Sequence, residues 1–172
     1  MKRTIETDRL FLWPLNAKEL ALLIEDKYIF EQTYHCAYRG EPLDGVFGKI
    51  LAEQLDKVKN EPENYLWHSF WMLLRKNDRT IIGAIDFKGV PNPAGNVEIG
   101  YGLNEAFQHN GYMTEAAQAF CCWALKQDKV KRVIAETETD NIQSQKVLKR
   151  CGFQKYHRDT SIWWQLCEDE SN

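Results

Sequence analysis

The chain has 172 residues, 44% of them hydrophobic and 27% charged, which is the range of an ordinary globular domain and excludes disorder over most of its length. Its 22 basic and 25 acidic side chains leave a net charge of −3, so the chain carries no overall electrostatic footprint for nucleic acid. Five cysteines, an odd number without a C-x-x-C pair, point to reduced thiols rather than a disulfide framework, and no apolar run approaches the roughly 18 residues of a membrane span. One domain over residues 1–172 is expected, in a cytoplasmic setting, with no membrane contact.

In chain order, Arg9–Pro14 reads as a short apolar strand that stops at its proline. Asn16 is placed to cap a helix that carries Leu20 to Ile24. A second helical stretch is expected over Ile29–Tyr38. A third lies between Gly45 and Pro62, where Val46, Ile50, Leu51, Gln54, Leu55 and Val58 keep helical spacing. His68–Leu74 and Thr80–Phe87 flank the polar turn Asn77-Asp78-Arg79 and predict a hairpin. Gly89–Gly95, with two prolines, is a loop. Asn96–Leu103 alternates as a strand, a helix opens at Gly111, and Lys131–Thr137 is a further strand. Asn141–Arg150 reads as a helix closed by Gly152. Phe153–Arg158 and Ile162–Leu166 are closing strands, followed by a solvated acidic tail, Glu168–Asn172.

Two segments carry chemistry. In the first, Val97-Glu98-Ile99-Gly100-Tyr101-Gly102-Leu103 is followed by Gln108-His109-Asn110-Gly111-Tyr112-Met113-Thr114-Glu115-Ala116, so a strand feeds a short loop that opens directly into a helix. The first helical turn offers free N–H groups and the positive end of the dipole, a place suited to a pyrophosphate. Gly111 lets the backbone approach a phosphate without a Cβ in the way, although a glycine here also serves simply to end a loop. The second segment, Glu136 to Phe153, is strand, loop, helix, then Gly152-Phe153. The histidines, His35, His68, His109 and His157, show no metal-ligand spacing, so no metal is expected.

Together the two segments resemble the GCN5-related N-acetyltransferase (GNAT) family. The opening Glu6-Thr7-Asp8-Arg9-Leu10 and the phrase Gly111-Tyr112-Met113-Thr114-Glu115-Ala116 are similar to the RimJ/RimL-type ribosomal-protein N-acetyltransferases. The resemblance implies an α+β fold: a mixed, mostly antiparallel seven-stranded sheet split into a V, flanked by helices on both faces. It implies acetyl-CoA as cosubstrate, lying between the strands Val97–Leu103 and Arg132–Glu138, and an amine acceptor, with the protein acting as a monomer or homodimer. Leu103, Gln108, His109, Asn110, Gly111, Tyr112, Met113 and Thr114 are implied to bind the cofactor, with Asn141 on its pantetheine side. Asn110 stands where the family often has a basic residue.

The same resemblance implies the catalytic groups. Glu98 matches a glutamate that several members use as base; its other reading is a solvated strand residue. Gly102 lies at the place of the backbone oxyanion donor. The helix after Asn141 lacks the tyrosine many members use as general acid, and Ser144 matches a serine found in the RimJ/RimL type; it reads either as a proton donor or as a plain helix residue. By their own alternation Glu136 and Glu138 share one face of their strand; they are solvated, or one of them attracts a cationic acceptor or relays a proton. The expected activity is acetyl transfer from CoA to a primary amine, either a protein N-terminal α-amine or a small-molecule amine. The alternative is a non-catalytic acyl-CoA-binding or sensing module.

Overall fold

The computed structural model describes residues 3–167; the acidic tail lies outside them. Nine strands form one sheet in the order β1-β2-β4-β5-β6-β7-β9-β8, with β3 paired to β5 off that path. They are β1 (Ile5–Glu6), β2 (Leu10–Pro14), β3 (Ala37–Tyr38), β4 (Phe70–Arg75), β5 (Thr80–Phe87), β6 (Asn96–Leu103), β7 (Arg132–Glu138), β8 (Gln154–Arg158) and β9 (Ser161–Cys167). The seven longer strands answer to the seven expected, and the two-residue strands β1 and β3 bring the sheet to nine. All pairings are antiparallel except β3 with β5 and β6 with β7.

The helices are α1 (Ala17–Glu25), α2 (Lys27–Tyr34), α3 (Gly45–Asn60), α4 (Tyr65–His68), α5 (Tyr112–Leu125) and α6 (Ile142–Arg150). Asn16 caps α1 in a full capping box: its side chain accepts from the Lys18 and Glu19 amides, and Glu19 reaches back to the Asn16 N–H at 2.9 Å. The helix expected over Ile29–Tyr38 instead stops at Tyr34. His35 there takes a left-handed backbone (φ 50°), and Ala37–Tyr38 leaves to pair with β5. His68, expected in the hairpin, closes the short helix α4, and its strand begins at Phe70.

Strand alternation sorts the apolar residues into two cores, one on each face of the sheet. Leu12, Trp71, Leu73, Ile85, Val97 and Ile99 turn toward α5 and α6. Trp13, Phe70, Met72, Leu74 and Ala84 turn toward α1, α2 and α3. Trp67 and Trp71 belong to the first core, where Phe87 and Phe120 stack with centroids 4.1 Å apart. Trp71 satisfies its indole N–H on the Leu66 carbonyl at 2.9 Å.

Candidate active site

The parallel pairing of β6 with β7 runs from Asn96↔Arg132 to Ile99↔Ala135 and stops. Beyond it, β6 stays with β5 as far as Leu103, and β7 stays with β9 as far as Glu138. Gly100–Leu103 and Glu136–Glu138 therefore diverge as the two arms of a V. In an antiparallel pair, residues that exchange both hydrogen bonds recur every second position. Lys88 donates to the Glu98 carbonyl at 2.8 Å and Asn104 to the Ile82 carbonyl at 3.0 Å, so the even-numbered residues of β6 direct their N–H and C=O groups at β5. The Gly102 amide is thus spent on Ala84. The amides that open into the V are those of Tyr101 and Leu103, so the Gly102 amide, expected as the oxyanion donor, does not face it.

The loop after β6 meets the mouth of the V. Gln108 donates its side-chain amide to the Leu103 carbonyl at 3.1 Å. His109 and Gly111 take left-handed conformations (φ 64° and 77°), and Gly111 is the N-cap of α5. Among the described residues, the N–H groups of His109, Asn110, Gly111, Tyr112, Met113 and Thr114 meet no protein acceptor. They form a row of free donors at the positive end of a 14-residue helix. Met113 buries its side chain and contributes only backbone there. Asn110 folds its amide onto the Phe107 and Gln108 carbonyls, which shapes the loop instead of adding charge.

The charge comes from the other end of the chain. Arg9 donates to the Asn110 carbonyl at 2.8 Å, lies 4.4 Å over the Tyr112 ring and comes within 3.4 Å of where a Gly111 Cβ would sit. Glu115 fixes it: the carboxylate accepts from the Arg9 backbone at 2.8 Å, from Arg9 Nε at 2.6 Å and from Thr7 at 2.6 Å. Burial alone would raise the Glu115 carboxyl; these hydrogen bonds outweigh it and hold the group below the usual carboxylate range.

Ser144 and Glu98 lie on opposite sides of the sheet. Ser144 sits in the first turn of α6, where Asn141 caps the helix by accepting from the Ser144 N–H at 3.1 Å. That use of its oxygen leaves the Asn141 amide group as the part able to reach a ligand. The Ser144 hydroxyl is 2.8 Å from the Tyr101 hydroxyl, a partner that sequence reading missed. Tyr101 reaches from β6 to α6, the helix that follows β7. Its phenol is pushed up to about 12, mainly by burial, with the Ser144 hydrogen bond opposing and the nearby Cys151 and Cys121 adding to the rise.

Glu98 lies on the α1–α3 face with Gly100 and Gly102. Burial raises its carboxyl, Lys88 opposes the rise and Glu136 adds to it. Glu136 accepts from the Ser161 hydroxyl at 2.5 Å, and both Glu136 and Glu138 are exposed. On the same face, a cavity of about 160 Å³ is lined by Tyr38, Glu41, Phe47, Asp86, Lys88 and Gly102, among others. Asp86 was not singled out from the sequence, although a carboxylate inside the apolar run Thr80–Phe87 is a readable signal, because aspartate is almost never fully buried without a reason. No group of three or more His, Cys, Asp or Glu side chains able to hold a metal occurs among the described residues, and no described helix is long and apolar enough to cross a membrane.

Residues 9–154 match the acetyltransferase (GNAT) domain family. The chain belongs to that family. It is 39% identical over 88 residues to the uncharacterized N-acetyltransferase YjdG of Bacillus subtilis, a match that spans 51% of this chain and about half, 52%, of that relative. The crystal structure of the ribosomal-protein-S5-alanine acetyltransferase from Vibrio fischeri superposes with a TM-score of 0.69 at 19% identity, covering 99% of both chains. RimL, a ribosomal L7/L12 α-N-protein acetyltransferase solved in complex with coenzyme A, superposes with a TM-score of 0.66 at 17% identity, covering 97% of this chain and 99% of that one. At such identities these GNAT structures establish the shared fold: an open, mixed sheet with helices on both faces.

Proposed function

We propose that this GNAT domain, working as a monomer or homodimer in the cytoplasm, transfers an acetyl group from acetyl-CoA directly to a primary amine, with a protein N-terminal α-amine as the favoured acceptor. The observation that carries this reading is the V between β6 and β7, whose unpaired Tyr101 and Leu103 amides lead to the free N–H row of α5. These residues fit an elongated ligand that ends in phosphates: strand-like backbone donors along its length, then a helix N-terminus for the anion. Likeness to enzymes named for ribosomal-protein acetylation supports the α-amine acceptor.

Bound there, acetyl-CoA would supply the acetyl group as an activated thioester. The N–H groups of His109 to Thr114 would hold the pyrophosphate, the Gln108 N–H being already spent on the Glu105 carbonyl, and Arg9 adds the positive charge that Asn110 lacks. Leu103 and Asn141 line the pantetheine path. The Tyr101 or Leu103 amide steadies the carbonyl oxygen as it gains charge, a role worth about 3–4 kcal/mol for such a donor. Glu98 works with the other carboxylates of the α1–α3 face to draw in the cationic amine and pass its proton to solvent. On the opposite side, Ser144 and Tyr101 present a hydroxyl pair to the leaving sulfur. A phenol near 12 is a poor acid toward a thiol whose own pKa is about 8.5, so the pair acts by hydrogen bonding and water delivers the proton. Ser144→Ala should therefore lower kcat by less than about tenfold, below the usual range for a true general acid, with acetyl-CoA affinity unchanged in titration.

Coenzyme A should stabilise the folded state by about 2.7 kcal/mol at 100 times its dissociation constant, read as a rise in Tm. An unchanged Tm at millimolar CoA removes the reading.

A further inference from the structure

We propose that Asp86 of β5, held in place by Gln54 of α3, is the carboxylate that takes the proton from the acceptor's ammonium group. The assignment rests on the acetyltransferase reading and names a residue of the site that the family resemblance does not indicate. All eight residues of β5 are buried, and Asp86, 4% exposed, is the charged one among them. A strand that only had to pack would carry an apolar side chain there, because an unpaired buried charge is costly.

The geometry gives that carboxylate a task. Asp86 is paired with Gly100, the first residue of β6 past the last β7 contact, so it stands beside the point where the V opens. Its Oδ2 accepts from the Gln54 side-chain amide at 3.0 Å. Its Oδ1 lies over Gly100, 3.1 Å from where a Cβ would sit, and Asp86 lines the cavity on this face. The Lys88 ammonium shares that space, its Nζ 2.8 Å and Cε 2.9 Å from the same point, so glycine at position 100 leaves room for both the Lys88 side chain and the Asp86 carboxylate. Gln54 is 7% exposed, and its Oε1 has no hydrogen-bond partner among the described residues. The site thus combines a free carboxylate oxygen with a buried carbonyl oxygen that lacks a donor. Asp86 lines the cavity and Gln54 does not, so a primary ammonium, with its three N–H groups, would donate to the Asp86 carboxylate from the cavity side. The Tyr101 amide opens into the V one residue along, so the acid–base group and the backbone donor lie side by side.

The proton balance is simple. One N–H bond of the ammonium breaks, an O–H bond forms on Oδ1, and the neutral amine keeps the lone pair that attacks. Burial pushes the Asp86 carboxyl up to about 7. Lys88 just past the end of β5, the Gln54 hydrogen bond and Lys57 of α3 oppose the rise, and Glu98 of β6 adds to it. An α-amine, at about 7.7–8.0, is closely matched to such a base, whereas a lysine-type amine at about 10.4 would give up its proton about 250- to 500-fold less readily.

The test measures pH profiles of acetyl-CoA turnover with a tetrapeptide bearing a free amino terminus, and with putrescine as a second amine. Wild-type kcat/KM should rise through a limb near pH 7. Asp86→Asn should lower kcat by about 10²–10⁴-fold and abolish that limb. It should also raise Tm at pH 8, since the neutral isostere removes a buried charge; this separates loss of function from loss of fold. Gln54→Leu should move the limb to higher pH by removing a hydrogen bond to the charged form. Glu98→Gln should lower kcat by less and move the limb to lower pH, because a negative neighbour is gone. Turnover by Asp86→Asn at the wild-type rate with the limb intact, or abolition of the limb by Glu98→Gln, overturns the assignment alone. No turnover by the wild type with either amine overturns the acetyltransferase reading and the assignment together.

Discussion

Gly111→Asp should weaken acetyl-CoA binding by about 100-fold, near 2.7 kcal/mol, and leave the protein folded. Gly111 has φ 77° and caps α5 within the free N–H row. A carboxylate here puts negative charge where the helix dipole favours an incoming anion. It also adds a Cβ on the surface that the phosphates must approach, 3.4 Å from Arg9, which is then drawn toward the new side chain. The fold survives because aspartate is among the residues that tolerate the left-handed region best, at a strain of about 1–3 kcal/mol. Titration with CoA checks the affinity, and thermal unfolding without ligand checks the fold. Unaltered affinity in a folded variant places the phosphate site elsewhere.

Phe120→Ala should destabilise the protein by about 3–5 kcal/mol, a large part of the 5–15 kcal/mol typical of a domain. Phe120 is fully buried, stacks on Phe87 at 4.1 Å and meets Trp71 edge-on at 5.3 Å. Trp67, Trp71, Trp123 and Phe87 form one continuous aromatic cluster, so the vacated space has rigid walls and little room to collapse. Tm should fall by roughly 10 °C or more. Val46→Ala, at a position 75% exposed, should change stability by less than about 0.5 kcal/mol and serves as the control.

The difference between these two sites parallels what could be read from the chain. β6 was legible to the residue, because Asn96–Leu103 alternates between loop signals, and α6 was legible because Asn141 and Gly152 bracket it. Both are local patterns. The strand Ala37–Tyr38 was not legible, since its pairing with β5 is a tertiary contact that overrides a helical sequence. The cofactor loop could be found as a contiguous phrase, but the charge beside it could not: Arg9 and Glu115 are 106 residues apart, and only the fold joins them. Gly102 illustrates a finer limit. Which residues of β6 aim their amides into the V depends on the register with β5, and a shift of one residue exchanges the two sets. Tyr101, one position away, has its own amide in the V and its hydroxyl on Ser144. Asp86 was visible as a carboxylate in an apolar run, yet its meaning depends on Gln54, which arrives from α3 across the sheet face.

The most direct measurement of the central claim is thiol release from acetyl-CoA by the purified protein over a panel of primary amines, with mass analysis of the amine in the same reaction. Amine-dependent release, with one acetylated amine formed per free thiol and strongest for peptides with a free α-amine, is the result expected of the V, the α5 donor row and the carboxylate face acting together. A protein that gains stability from acetyl-CoA but leaves the thioester intact with every amine tested would contradict the account. It would make this domain a binder of acyl-CoA instead of an acetyltransferase.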